Sequence, residues 1–303
     1  MTMMNPVDVQ LTNEYTYSRR FIDKYIKQEI LENPNMVEKI SEGVARLEDW
    51  MSKTYYPSKN VRIDQLKTLD LDELVLDCFI GVSYCQTPEL YTSITAQLAG
   101  RLKFSDREDG IKTIAEIMAI LCMTDAFDIV KEDAMSSLQV LSQIPLSSKL
   151  LGYVRQSAYL PPMVCPPKMV NHNRQCGYLT HEESVILGAR NHHENDVCLD
   201  TLNKQNQVAL RIDTDFLSSV EEDPTFDIDT VEKQKQWTNF KRKSYEFYLL
   251  IAKQSPEIYL TNKYDKRLRM YSQGYHINTQ GTAFKKAMLE FAKQELIEGV
   301  PQT

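Results

Sequence analysis

The chain has 303 residues, 42% of them hydrophobic and 25% charged, a globular composition long enough for two domains or one elongated one. No apolar run approaches the ~18 residues that span a bilayer, and residues 1–10 carry neither the basic region nor the apolar core of a secretory signal, so membrane and secreted classes are set aside. The six cysteines are scattered without a C-x-x-C pair, several inside apolar helical stretches, which points to a reducing cytoplasm.

The first part of the chain reads as helical. Apolar residues recur at three- and four-residue spacing over 17–31, 36–52, 64–80, 88–102 and 107–123; Ile111, Ile114, Ala115, Met118 and Leu121 are an example. Asn33-Pro34 and Tyr56-Pro57 break the helices apart. These helices define an N-terminal helical domain over 1–158. Within it, F-D-I-V and L-Q-V-L-S-Q-I-P-L flank K-E-D-A-M-S-S, the pattern of a β-hairpin at 126–147 with its tip near Asp133 to Ser136. A plain helix-to-helix connection fits the same residues.

Paired prolines then enforce an extended connector over 159–198, beginning Y-L-P-P-M-V-C-P-P-K and followed by C-G-Y-L. His172, Cys176, His181, His192, His193 and Cys198 lie here without metal-ligand spacing, so no metal site is expected. Residues 199–213 read as a helix with Leu199, Leu202, Gln205 or Asn206, and Ala209 on one side, continued by 214–220. E-E-D-P-T-F-D interrupts it. Asp229 is placed to cap a long basic helix over 230–253, rich in aromatics (Trp237, Phe240, Tyr245, Phe247, Tyr248) and carrying Lys241, Arg242 and Lys243 in a row.

Charge is unevenly spread. The net charge is −7, yet residues 231–293 hold thirteen basic against five acidic side chains, a surplus of eight that leaves about −15 for the rest. Such asymmetry predicts one basic surface on an acidic body. Over 259–293, alternating aromatic and polar residues suit a strand, on which Asp265, Arg267 and Arg269 would share one face. Thr282 is positioned to N-cap a helix whose apolar face is Ala283, Phe284, Ala287, Met288, Phe291 and Ala292. Arginines oriented by a carboxylate beside tyrosines suit phosphate backbones and stacked bases; an ion pair on an ordinary surface strand is the plain alternative.

Y-D-K-R-L-R-M-Y followed by N-T-Q-G resembles the palm-entry motif of single-subunit RNA polymerases of T-odd phages and mitochondria, D-x-R-G-R-x-Y then N-x-Q-G. The match covers Asp265, Arg267, Arg269, Tyr271, Asn278, Gln280 and Gly281, with Leu268 where the family has glycine. P-M-V-C-P-P with its downstream G-Y resembles the segment ahead of the family's thumb, Lys168 standing where a basic residue often does. Leu202, Asn203, Gln205 or Asn206, and Ile212 resemble a helix leading to that thumb. The 126–147 hairpin resembles in position a strand-separating hairpin, with Met135 as its apolar wedge.

The resemblance implies a mainly α fold with a small β component: helical N-terminal domain, thumb-like helices over 199–256 and the start of a palm over 257–303. It implies nucleic-acid contacts from Asp265, Arg267, Arg269, Tyr271, Gln280, Gly281, Lys241, Arg242, Lys243 and Lys168. No D-x-x-G-x-x motif or lysine-bearing finger helix follows Asp265, so no catalytic residue is expected in this chain. It reads as a truncated polymerase or, favoured here by the Met1 start and polar end, as the smaller subunit of a split enzyme like that of phages resembling N-four. The larger, catalytic subunit would then hold Mg2+ on its aspartates. Template DNA and RNA transcript would be partners, a single-stranded-DNA-binding helper a further one, with the host bacterial cytoplasm as location. The alternatives are a stand-alone nucleic-acid-binding accessory protein and a helical scaffold protein.

Overall fold

The computed structural model describes residues 5–102, 104, 106–131, 137–156, 160–188 and 191–293, without the side chains of Gln156 and Glu232. The fold is mainly α with a small β component, as expected. It divides into two compact units, Arg19–Ala158, and Met1–Ser18 together with Tyr159–Thr303. Among the described residues no helix is long and apolar enough to cross a membrane.

Helix α1 (Pro6–Tyr17) belongs to the second unit and was invisible to periodicity. Its buried residues are Gln10, Asn13, Glu14 and Tyr17, a mostly polar face. Glu14 is wholly buried and accepts hydrogen bonds from Gln10 Nε2 (2.9 Å), Leu179 N (2.8 Å), Thr180 N (2.7 Å) and Thr180 Oγ1 (2.5 Å). Asn13 and Gln254 exchange amide hydrogen bonds of 2.8 and 3.0 Å. Hydrogen bonding, which offsets the desolvation of buried polar groups, docks this helix.

In the first unit, α2 (Arg19–Glu32), α3 (Pro34–Ser52), α4 (Pro57–Leu66), α5 (Leu71–Val82), α6 (Tyr91–Ala99), α7 (Arg107–Leu121) and α8 (Ser148–Gln156) surround one apolar core. Asp70 caps α5 by accepting from Glu73 N at 3.1 Å, so the helix expected over 64–80 is two helices. Gly43 is required by close packing: a Cβ there would lie 2.8 Å from Leu121 Cδ2 and 3.1 Å from Val75 Cγ1. Strands β1 (Glu89–Leu90), β2 (Phe127–Val130) and β3 (Gln139–Ser142) form an antiparallel sheet in the order β1-β3-β2, Ile129 facing Val140. Met135 and the hairpin tip lie outside the described residues.

The second unit corrects several sequence expectations. Helix α9 (Leu199–Asn206) stops short of 213, because Leu210–Ile212 pairs as strand β4. Asp213 then starts a separate helix, α10 (Thr214–Ser219), by accepting from Phe216 N at 2.9 Å. Helix α11 (Val231–Gln254) is capped by Thr230, whose Oγ1 accepts from Lys233 N at 3.2 Å; Asp229 instead pairs with the Lys233 ammonium. Strands β5 (Asn262–Tyr264) and β6 (Met270–Ser272) form a hairpin. Thr282 caps α12 (Ala283–Ala287) as expected, but that helix has five residues, not a turn more. It gives way to β7 (Leu289–Phe291), antiparallel to β4, leaving Phe291 exposed rather than on an apolar helix face. Tyr248 and Ile251 of α11 pack with Leu210, Ile258, Leu260, Ile277 and Met288 at the centre of this unit.

Candidate nucleic-acid interface

Asp265, Arg267 and Arg269 are not on a strand face. Arg267 lies in the turn joining β5 to β6, and Asp265 and Arg269 flank that turn. Leu268 N donates to Asp265 O and Asp265 N to Arg269 O, each at 2.9 Å. Leu268 has φ 59°, in the left-handed region. This is a three-residue hairpin loop, a tight turn closed by one left-handed residue. Glycine is the usual occupant of that position because it has no Cβ to collide with the following carbonyl. The glycine of the resembled motif and Leu268 therefore stand at a conformational requirement. Close approach of a ligand to the backbone is a separate matter.

The Asp265 carboxylate organises the loop. Its Oδ1 accepts from Arg267 N (2.8 Å) and Arg269 N (2.9 Å), and its Oδ2 from Arg269 Nε (2.7 Å). The Arg269 backbone N–H, with its guanidinium adding to it, holds the Asp265 carboxyl below the usual carboxylate range. Arg269 is thus fixed, its charge also lying 5.7 Å from the centre of the Tyr271 ring. Arg267 reaches only to 3.8 Å from the same carboxylate, and its side chain is 74% exposed. The structure brings these three residues and Tyr271 together at one end of the hairpin.

The N-T-Q-G turn braces that hairpin. Gln280 accepts from Ser272 N at 2.8 Å and donates to Met270 O at 3.1 Å, so its amide acts as one more rung beside β6. Asn278 donates to Ser272 O (3.0 Å) and Gly274 O (2.8 Å) and accepts from Gln280 N (2.7 Å). Gly281 makes room for a lysine: a Cβ there would stand 2.8 Å from Lys285 Cδ. Lys285 is buried, donates to Tyr275 O at 2.6 Å and lies 5.2 Å from the Phe240 ring centre. His276 is buried beside it, its Nδ1 2.7 Å from Ser244 Oγ and its ring stacked 5.1 Å from Phe247. Burial, with the Lys285 and Lys243 charges adding to it, pushes the imidazole down to about 4. The turn is thereby seated on α11.

Other predicted contacts are engaged within the protein. Lys168 donates to His181 O at 2.8 Å. Lys241 pairs with Glu221 at 2.7 Å and Arg242 with Glu246 at 3.0 Å, while Lys243 is exposed. Lys263 pairs with Glu183 at 2.8 Å and Lys233 with Asp229 at 2.6 Å. Part of the basic surplus is therefore balanced locally, while Lys235, Lys243, Lys253, Lys266, Arg267, Lys286 and Lys293 are exposed.

Asn203 and Asn206, matched in the sequence only to a helix leading to the thumb, are the residues that position the hairpin. Asn203 exchanges two 2.9 Å hydrogen bonds with the Val170 backbone, just past the proline pairs. Asn206 Oδ1 accepts from Asn262 N at 2.8 Å, fixing the start of β5. Met163 and Tyr259 exchange backbone hydrogen bonds of 2.9 and 2.8 Å. Gly177 lets this layer close, since a Cβ there would stand 2.8 Å from Thr261 and 2.9 Å from Pro167. The signal was the N-x-x-N spacing on α9, which puts both amides one turn apart on one face. Among the described residues, no three His, Cys, Asp or Glu side chains form a group able to hold a metal ion.

No family model matches the chain. Over 149 residues it is 29% identical to a curated protein of Gelasinospora sp. (strain G114) described as "Probable DNA-directed RNA polymerase". The similarity is thus to an RNA polymerase. The aligned part is 45% of this chain and 18% of that protein, so the chain matches less than a fifth of its relative's length.

Proposed function

We propose that this chain is the smaller, non-catalytic subunit of a split DNA-directed RNA polymerase, gripping template DNA and the RNA–DNA hybrid beside an active centre carried by a larger partner. The observation that carries the reading is the 149-residue similarity to a probable DNA-directed RNA polymerase. The hairpin gives it chemistry. Asp265 presets the Arg269 guanidinium, whose remaining N–H groups are donors for a phosphate or a sugar hydroxyl, and Arg267 projects as a second cation. Fixing Arg269 in advance lowers the ordering cost of binding.

In this reading Tyr271, Gln280 and Gly281 maintain the loop and its brace, and Lys168 holds the connector beneath it. Lys241, Arg242 and Lys243 on α11 supply backbone contacts of a thumb. In this reading Mg2+ is held by aspartates of the partner subunit, in a phage-infected bacterial cytoplasm; the Asp265 oxygens already accept from N–H donors. Bound there, the ions would activate the RNA 3′-hydroxyl and stabilise the leaving pyrophosphate.

The test is co-expression with the candidate larger subunit and a Mg2+-dependent transcription assay on single-stranded template. The assembled enzyme is expected to transcribe and this chain alone is not. Replacing Arg267 and Arg269 together by alanine is expected to cut elongation at least tenfold, as loss of two charged contacts would. Full activity of that variant would overturn the assignment of the hairpin.

A further inference from the structure

The segment 221–229, E-E-D-P-T-F-D-I-D, joins α10 to α11 and carries five carboxylates. It folds back along α11 in a regular way. Asp229 pairs with Lys233 at 2.6 Å, Phe226 meets the Trp237 ring edge-on at 6.1 Å, and Glu221 pairs with Lys241 at 2.7 Å. Just before the segment, Val220 O accepts from Tyr245 OH at 3.4 Å. Lys233, Trp237, Lys241 and Tyr245 are each four residues apart, so they form one stripe on the helix. The segment runs antiparallel to it, matching carboxylate to lysine and ring to ring.

Few of these contacts are strong. The Glu221 side chain is 85% exposed, that of Asp229 64%, and Phe226 is 47% exposed. Exposed ion pairs contribute little to stability, so such a cover lifts readily. Glu222 is the buried exception, its Oε2 without a hydrogen-bond partner. Beneath lies a stripe of ammonium, indole, ammonium and phenol. That composition suits a single nucleic-acid strand, whose phosphates pair with lysines and whose bases stack on aromatics regardless of sequence. The acidic segment offers carboxylates and a ring to the same groups.

We infer that Lys233, Trp237, Lys241 and Tyr245 form a binding stripe for a single nucleic-acid strand, which the acidic segment 221–229 covers until the strand displaces it. This rests on the reading of the chain as a nucleic-acid-binding polymerase subunit. Displacement exchanges carboxylates for phosphates on the same lysines. Binding by the intact chain therefore releases fewer counterions, and depends less on salt, than binding to the bare stripe.

The test compares the full chain with a variant carrying Glu221→Gln, Phe226→Ala and Asp229→Asn, which leaves the Thr230 cap in place. Fluorescence anisotropy follows a labelled oligo(dT) over a range of KCl, after circular dichroism has established that both proteins are folded. The variant is expected to bind roughly tenfold more tightly at low salt, with a log–log salt slope steeper by about 1.4, the value for two phosphates on a single strand. Adding Trp237→Ala, and separately Lys233→Gln with Lys241→Gln, is expected to abolish the gain. Equal affinity and slope for covered and uncovered proteins, or a gain that survives those changes, would overturn the inference. The transcription result with Arg267 and Arg269 is independent of this outcome, so either reading fails visibly without the other.

Discussion

Asp265 binds Arg269 three ways, through its backbone N–H at 2.9 Å, its Nε at 2.7 Å and its terminal nitrogen at 2.6 Å, while Arg267 gives it one backbone hydrogen bond and a loose charge contact. One carboxylate thus makes two arginines unequal. Replacing Asp265 by alanine is expected to remove hydrogen-exchange protection from the Arg267 and Arg269 amides, whose acceptor is the carboxylate. It is also expected to weaken hybrid binding by the assembled enzyme, although a negative charge has been deleted. A gain in hybrid affinity would mean that the carboxylate repels phosphate more than it orders the loop.

Leu268 at φ 59° carries strain that glycine would not. Leu268→Gly is expected to stabilise the second unit by about 1 kcal/mol, a rise of roughly 2–4 °C in melting temperature. Thermal unfolding followed by calorimetry measures it. A side chain larger than glycine at 268 that proved more stable would contradict the loop geometry.

Glu14→Ala leaves buried donors on Gln10, Leu179 and Thr180 without their acceptor. The expected cost is about 3 kcal/mol or more, concentrated in the second unit. Urea unfolding with probes in each unit separates the two. Uniform loss across both units would argue against this attachment.

His276 has a folded pKa of about 4, below the imidazole's ordinary value, so the folded state prefers it neutral. Between pH 6.5 and 4 the unfolded chain binds the extra proton, and stability falls as the pH falls through that window. The loss is on the order of 2 kcal/mol, allowing for some solvent screening of a group at the edge of the core. His276→Asn is expected to flatten the dependence. Melting temperatures recorded from pH 7 to 4 provide the measurement.

Apolar periodicity made the helices around the first core legible, because Ile22, Ile26, Ile30 and Ile114, Ile117, Met118, Leu121 repeat with the helical period. It could not find α1, whose buried face is Gln10, Asn13 and Glu14. The polymerase-like residues were legible as a set while their backbone was not. D-K-R-L-R lacks the glycine that would have announced a turn, so alternation with the flanking tyrosines read as one continuous strand. The short α12 shows the opposite error. Phe284, Ala287 and Met288 keep the helical spacing, but pairing with β4 claims Leu289–Phe291 for a strand, and only tertiary contact decides that. The balancing of Lys241 by Glu221 and of Lys263 by Glu183, carboxylates distant in sequence, was equally out of reach of composition.

The attachment of α1 bears on the order of events during synthesis. Its partners at Val164, Leu179, Thr180 and Gln254 are translated only after the 140-residue Arg19–Ala158 unit. At ribosomal rates of ~5–20 residues per second the wait is about 7–28 s, long enough for that unit to fold first. A helix whose docking face were leucine would spend that interval exposing a sticky surface to the cell. One built on Gln10, Asn13 and Glu14 stays hydrated and harmless until its partners emerge.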